Sequence, residues 1–278
     1  MKGTLQAALH NEFSKYVRQK FPYLGMLAVG LLAGFWPTGM HEMADSGGET
    51  NGFSLLLKGA VSAVTSIIPL FAAIFATVLV ASETDTGTYR NVLSRPIRRS
   101  TFLTAKILFA FSYAALLVVL YILVAVPVIF SQYRLGPIMD HGEVVYSLAH
   151  IVGVSLMAFL LTLIPLFAIV SYGVLVSTAA KSLTSALGIG VGLLVAIEPL
   201  KHLIRWDNWK LSDYILTSYL DTALNIADKA ALGVDYEWLP QGWLRSDLVW
   251  GLTLSLSGIV IFLGASYWIF LRRDLNFS

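Results

Sequence analysis

Six apolar runs, each of roughly membrane-spanning length, constrain this chain more than any other feature. They cover residues 21–37, 59–81, 107–130, 148–176, 183–197 with its flanks, and 248–271. Crossing about 30 Å of hydrocarbon takes about 20 mostly apolar residues, and a helix satisfies its own backbone there. The chain is 56% hydrophobic and 13% charged, with a mean hydropathy of +0.72. A soluble domain carries about 25% charged residues. The reading is an all-α integral membrane protein, one domain over 1–278 with six transmembrane helices. Polar residues precede Phe21 and no small-residue cleavage site follows a short apolar core, so the first run reads as a retained span.

Six spans put both termini on one side. That side would hold 12 of the 19 Lys and Arg residues, including Lys2, Lys15, Arg18, Lys20, Lys181, Arg272 and Arg273. It would hold only Glu12, Glu83, Asp85 and Asp274 of the 17 acids. Basic flanks mark the cytoplasmic side, so both termini are expected in the cytoplasm. Before the first span, Leu5, Leu9, Phe13 and Val17 recur every fourth residue, with Ala8 and Tyr16 beside them. Glu12, Lys15 and Arg18 fall on other faces. The pattern predicts an amphipathic interfacial helix over 1–20.

The long external segment, 198–247, is too polar to cross and too patterned to be structureless. Ile215, Leu216, Tyr219, Leu220, Ala223, Leu224 and Ala227 follow helical spacing, with Ser212 or Asp213 as a cap. Trp206, Trp209, Tyr236, Trp238 and Trp243 surround it, as at a headgroup boundary. It reads as an external helical element that seals the domain or gates release.

Known chemistry is largely excluded. The absence of cysteine removes disulfides and thiolate ligands. No Gly-x4-Gly-Lys-Ser/Thr occurs, so the chain holds no phosphate loop of its own. His10, His41, His141, His150 and His202 lack metal-ligand spacing. The glycines of Gly188–Gly192 lie in an apolar run and read as helix packing, as do Gly30 and Gly34. Lys58, His150 and Glu198 sit at the outer ends of their spans. Snorkelling explains each, and contact with a substrate is the sharper alternative. Pro165 falls mid-span and removes a helical hydrogen bond, predicting a kink. The midplane otherwise carries almost no charge, so energy is expected from outside the chain.

The connector at 83–106, ETDTGTYRNVLSRPIRRSTFLTAK, is long and basic for a link between spans. It carries Glu83, then Gly87-Thr88, then Leu93-Ser94-Arg95-Pro96, then Arg98-Arg99, then Lys106. In order and location these residues resemble the type-2 permeases of bacterial ABC exporters. Asn11-Glu12, the basic stretch from Lys15 to Arg18, the six spans, the external element and the closing Arg272-Arg273-Asp274-Leu275 are similar to the same family. The resemblance implies a transmembrane permease subunit of an ATP-driven exporter in the bacterial cytoplasmic membrane. It would pair with an identical or related permease and two copies of a separate ABC ATPase.

On that resemblance the chain is not itself an enzyme and holds no cofactor, ATP and Mg being bound by the partner. No nucleic-acid partner is expected. The connector would be a coupling helix, broken before Pro96, docking through Thr88, Tyr89, Asn91, Val92 and Leu93. Arg95, Arg98 and Arg99 would pair with ATPase carboxylates or anionic lipid, or simply anchor the positive side. Glu83 would tie the connector to the N-terminal helix. The alternative is a non-transporting membrane scaffold or maturation factor that recruits a cytoplasmic partner. A secondary carrier is weakened by the apolar midplane.

Overall fold

The computed structural model describes residues 2–44, 52–85, 98–133, 135–140, 143–206, 209–232 and 246–272. The helices are α1 (Lys2–Val17), α2 (Phe21–Ala44), α3 (Gly52–Thr65), α4 (Ile67–Asp85), α5 (Arg99–Gln132), α6 (Leu148–Ala179), α7 (Leu183–Leu203), α8 (Thr222–Ala231) and α9 (Ser246–Arg272). Five described stretches are long and apolar enough to cross a membrane: Gly52–Asp85, Arg99–Gln132, Leu148–Ala179, Leu183–Leu203 and Asp247–Arg272. Phe21–Pro37 of α2 is a shorter apolar segment. The chain is a multi-pass membrane protein.

The all-helical expectation needs one amendment. Two short antiparallel pairs lie in the connections, β1 (Ile138–Asp140) with β2 (Glu143–Tyr146), and β3 (Arg205–Trp206) with β4 (Trp209–Lys210).

The run at 59–81 is not one rod. It extends from Gly52 to Asp85 and is split between α3 and α4 at Ser66. Pro69 is the cause. It lacks an N–H, and its ring crowds the carbonyl four residues back, at Thr65. Just before the break the Thr65 hydroxyl donates to the Val61 carbonyl at 2.8 Å. Pro165, by contrast, sits inside a helix that continues from Leu148 to Ala179.

α4 and α6 form the centre, with α9, α8 and α7 packed around them and α2 and α5 alongside. Small residues let α4 come close to its neighbours. A Cβ on Gly173 of α6 would stand 2.8 Å from the Ala76 Cβ. A Cβ on Gly190 of α7 would strike the Thr77 side chain. Gly190 therefore does the close packing expected of its glycine run. Gly188, Gly192, Gly30 and Gly34 meet nothing within 4 Å among the described residues. In α2 the inward stripe is Gly25, Val29, Ala33 and Pro37, with Gly25 set against the Tyr113 hydroxyl and Phe71. Residues four apart share a helix face, and Gly30 and Gly34 lie on a neighbouring face to one side of this stripe.

α1 also turns a different face inward. Ala8, Glu12 and Tyr16 are buried, whereas Phe13 and Val17 are exposed. The apolar stripe is thus left for the bilayer, and the face carrying a carboxylate packs on the protein.

The external helical element is α-helical over only part of the residues with helical spacing. Two 3-10 turns, Leu211–Tyr214 and Leu216–Tyr219, precede α8. Tertiary bonds override the helical spacing there. Tyr219 Oη and Trp250 Nε1 both donate to the Asp213 carbonyl at 2.8 Å. Ser212 and Asp213 lie in the first turn and do not cap α8, whose preceding residue is Asp221. From Leu220 onward the spacing holds, with Leu220, Ala223, Leu224 and Ala227 buried. Tyr236, Trp238 and Trp243 lie outside the described residues.

Candidate functional site

Lys106 enters α5 two turns from its start and points into the protein, with no exposed surface. An ammonium has three N–H donors and no acceptor, and here every donor is used. Nζ donates to Glu83 Oε1 at 2.8 Å, to the Leu79 carbonyl at 2.9 Å and to Glu12 Oε2 at 3.1 Å. It also lies 4.9 Å from the Phe102 ring centroid, over the negative face of the ring. Glu83 Oε1 accepts a second bond, from Lys15 Nζ at 2.6 Å. Two carboxylates and two ammonium groups therefore balance, drawn from α1, α4 and α5.

Burial makes the balance matter. A buried charge left alone is costly, and pairing with full hydrogen bonding offsets that cost. Glu12 and Glu83 are both nearly buried, and Lys15 at the edge is about one-third exposed. Glu83 Oε2 is buried without a hydrogen-bond partner among the described residues. Beside the cluster, Tyr16 packs against Phe75 and Phe109 at centroid distances of 5.0 and 5.3 Å. Burial raises its phenol above the ordinary range, so it stays neutral. The end of α4 has a second tie, because Ser177 Oγ of α6 accepts the backbone N–H groups of Val80 and Ala81 at 2.9 and 3.0 Å.

This cluster stands at the foot of the 83–106 connector. α4 ends at Asp85 and α5 begins at Arg99, so both stems are fixed to one another and to α1. Gly87, Thr88, Tyr89, Asn91, Val92, Leu93, Arg95 and Pro96 lie outside the described residues. Arg98 is exposed and immediately precedes α5 with extended backbone angles. Arg99 opens the helix and is half-buried.

The four residues named for the substrate path do not come together. Lys58 lies in α3 near Asp228, whose hydrogen-bond donor is Ser54 Oγ at 2.6 Å. His150 is exposed in the first turn of α6, its ring stacked on Tyr146 at 5.1 Å. Pro165 is buried in α6. Glu198 pairs with Lys201 at 2.6 Å and lines a polar cavity of about 630 Å³ between the end of α7, the 3-10 turns and α8.

The tie from Glu83 to the N-terminal helix expected from the sequence is its bond from Lys15, whereas the pairing of Glu12 with Lys106 and the burial of Lys106 were not singled out. The available signal was a carboxylate at an i+4 step between Ala8 and Tyr16, together with Glu83 and Lys106 at facing ends of two spans.

The family model described as ABC-2 family transporter protein matches residues 8–189. The chain belongs to the ABC-2 transporter family. No curated protein matches it closely enough to count as a relative. The matched span takes in Glu12, Lys15, Glu83, the whole connector and Lys106. It closes within α7, so the external element and α9 fall beyond it. As an ABC-2 family member the chain is a membrane permease component of an ABC transporter. Such components lack the ATPase domain, in keeping with the missing phosphate loop.

Proposed function

We propose that this chain is the permease subunit of an ATP-driven exporter, worked by a separate ATPase that docks on the 83–106 connector. The observation that carries the reading is the buried cluster of Lys106, Glu83, Glu12 and Lys15 at both stems of that connector. A connector that transmits force needs a stiff foot, and packed elements joined by paired buried charges move as units. ATP-driven closure of the ATPase dimer would push the connector. The fixed foot would pass the displacement to α1, α4 and α5 together.

The layout proposed with it has six spans, α2 being the first and α3 with α4 the second, and both termini in the cytoplasm. Two permeases, identical or related, would assemble on two ATPase subunits. Arg95 and Arg98 are proposed to meet ATPase carboxylates. The charge reversals Arg95→Glu and Arg98→Glu together should lower ATPase retention and stimulated ATP hydrolysis while the permease stays folded. Unchanged complex yield and unchanged hydrolysis in that double variant would contradict the docking assignment.

A further inference from the structure

We propose that the apolar cavity between α1, α2 and α5 is a specific site for one anionic phospholipid, its acyl chain in the cavity and its headgroup on Arg18 and Lys20. The cavity holds about 300 Å³. Tyr16, Phe75, Phe109 and Tyr113 line it, joined by ring contacts of 4.2 to 5.8 Å. These rings give it a stiff aromatic wall. Phe13, Val17 and Tyr23 form a rim exposed to the surroundings. No charged side chain is among the described residues that line it. The interior, lined mainly by apolar and aromatic groups, therefore suits a hydrocarbon chain.

The mouth has the opposite character. Val17 and Pro22 both line the cavity, so the turn at 18–20 runs along its edge. Arg18 and Lys20 are exposed on that turn and make no ion pair among the described residues. Lys15 differs, being taken by Glu83. The nearby Glu12 is buried and held by Lys106, so it does not neutralise the turn. The positive end of the α2 dipole, at Phe21, adds to the same field.

The turn is also held in place. Arg18 and Gln19 N–H groups donate to the Lys15 and Tyr16 carbonyls. Tyr23 Oη donates to the Val17 carbonyl at 3.0 Å and Tyr113 Oη to the Pro22 carbonyl at 2.9 Å. Two cations on a fixed turn above an apolar slot match a lipid phosphate above its acyl chain. A bound chain would rest on Phe13, Tyr16 and Val17, and so would help to hold α1 against the bundle.

The site needs no ATPase, so its test stands apart from the exporter reading. The full-length chain would be placed in phosphatidylcholine nanodiscs containing a trace of phosphatidylglycerol with a photoactivatable acyl chain. A matched phosphatidylcholine probe serves as the comparison. Adducts would be mapped by mass spectrometry. Phosphatidylglycerol should label residues 13–26 and 109–116 on the order of tenfold more than phosphatidylcholine. R18Q with K20Q should reduce that labelling to the phosphatidylcholine level. Leu116→Trp, which narrows the cavity, should lower labelling by both probes. Equal labelling by the two probes in the natural sequence would overturn the proposal. So would a phosphatidylglycerol preference that survives the double substitution, or adducts spread evenly over all the apolar helices.

Discussion

Lys106 Nζ stands 2.8 Å from Glu83 Oε1 with the lysine wholly buried, and this pair locks the second turn of α5 to the last turn of α4. Removing the ammonium leaves the buried Glu12 carboxylate without its cation and Glu83 with Lys15 alone. Lys106→Met should therefore destabilise the fold by about 3–5 kcal/mol, the usual cost of breaking a buried pair from one side. Adding Glu12→Gln should recover part of the loss, because the stranded charge goes with it while Glu83 keeps Lys15. Thermal unfolding in detergent, followed by tryptophan fluorescence, gives both values and their coupling. Equal Tm for Lys106→Met and the natural sequence would remove the cluster from any structural role.

The two glycines of α2 that differ in surroundings make a paired prediction. Gly25→Ala drives a methyl into the Tyr113 hydroxyl and Phe71, and overpacking costs about 1–3 kcal/mol. Gly30→Ala meets open space among the described residues. It should be neutral or stabilising by up to about 1 kcal/mol through helix propensity. Comparing the two Tm values checks whether α2 docks on the face described here.

Asp228 supplies a pH dependence. Burial raises its carboxyl above the usual aspartate range, opposed by the Ser54 hydrogen bond and the Lys58 charge. A raised folded value favours the protonated form in the native state. The resulting stability is fully present below the unfolded value near 4 and is lost as pH rises through the folded one. Docking of α8 on α3 should thus tighten on acidification towards pH 4. Hydrogen exchange over 222–231, corrected for the intrinsic rate, should show more protection at pH 4.5 than at pH 7. The difference should vanish in Asp228→Asn.

The sequence exposed the membrane class because long apolar runs have few alternatives in lipid. It also placed α6 and α9 within a few residues, although α5 begins well before the run at 107–130, and the family read from the connector is the one whose model matches residues 8–189. It indicated the tie of Glu83 to α1 but hid the rest of the cluster for a physical reason. Glu12 and Lys15 are separated from Glu83 and Lys106 by about 70 to 90 positions, and nothing local says that α1 buries its charged face. The stripe of Leu5, Leu9, Phe13 and Val17 pointed the other way, since an apolar face can serve the bilayer as well as a core. The break at Ser66 was readable from Pro69 but was masked by the continuous apolar run around it. The 3-10 turns over 211–219 depend on Trp250, which local spacing cannot register.

The proposed exporter mechanism requires a separate ATPase to work this permease. The direct measurement is purification of the chain from its native membranes in mild detergent, followed by an ATPase assay on what accompanies it. The account predicts an ABC ATPase in stoichiometric amount, with vanadate-sensitive hydrolysis that falls when Glu83→Gln loosens the connector's foot. A chain that purifies alone, or with a partner that hydrolyses no nucleotide, would contradict it.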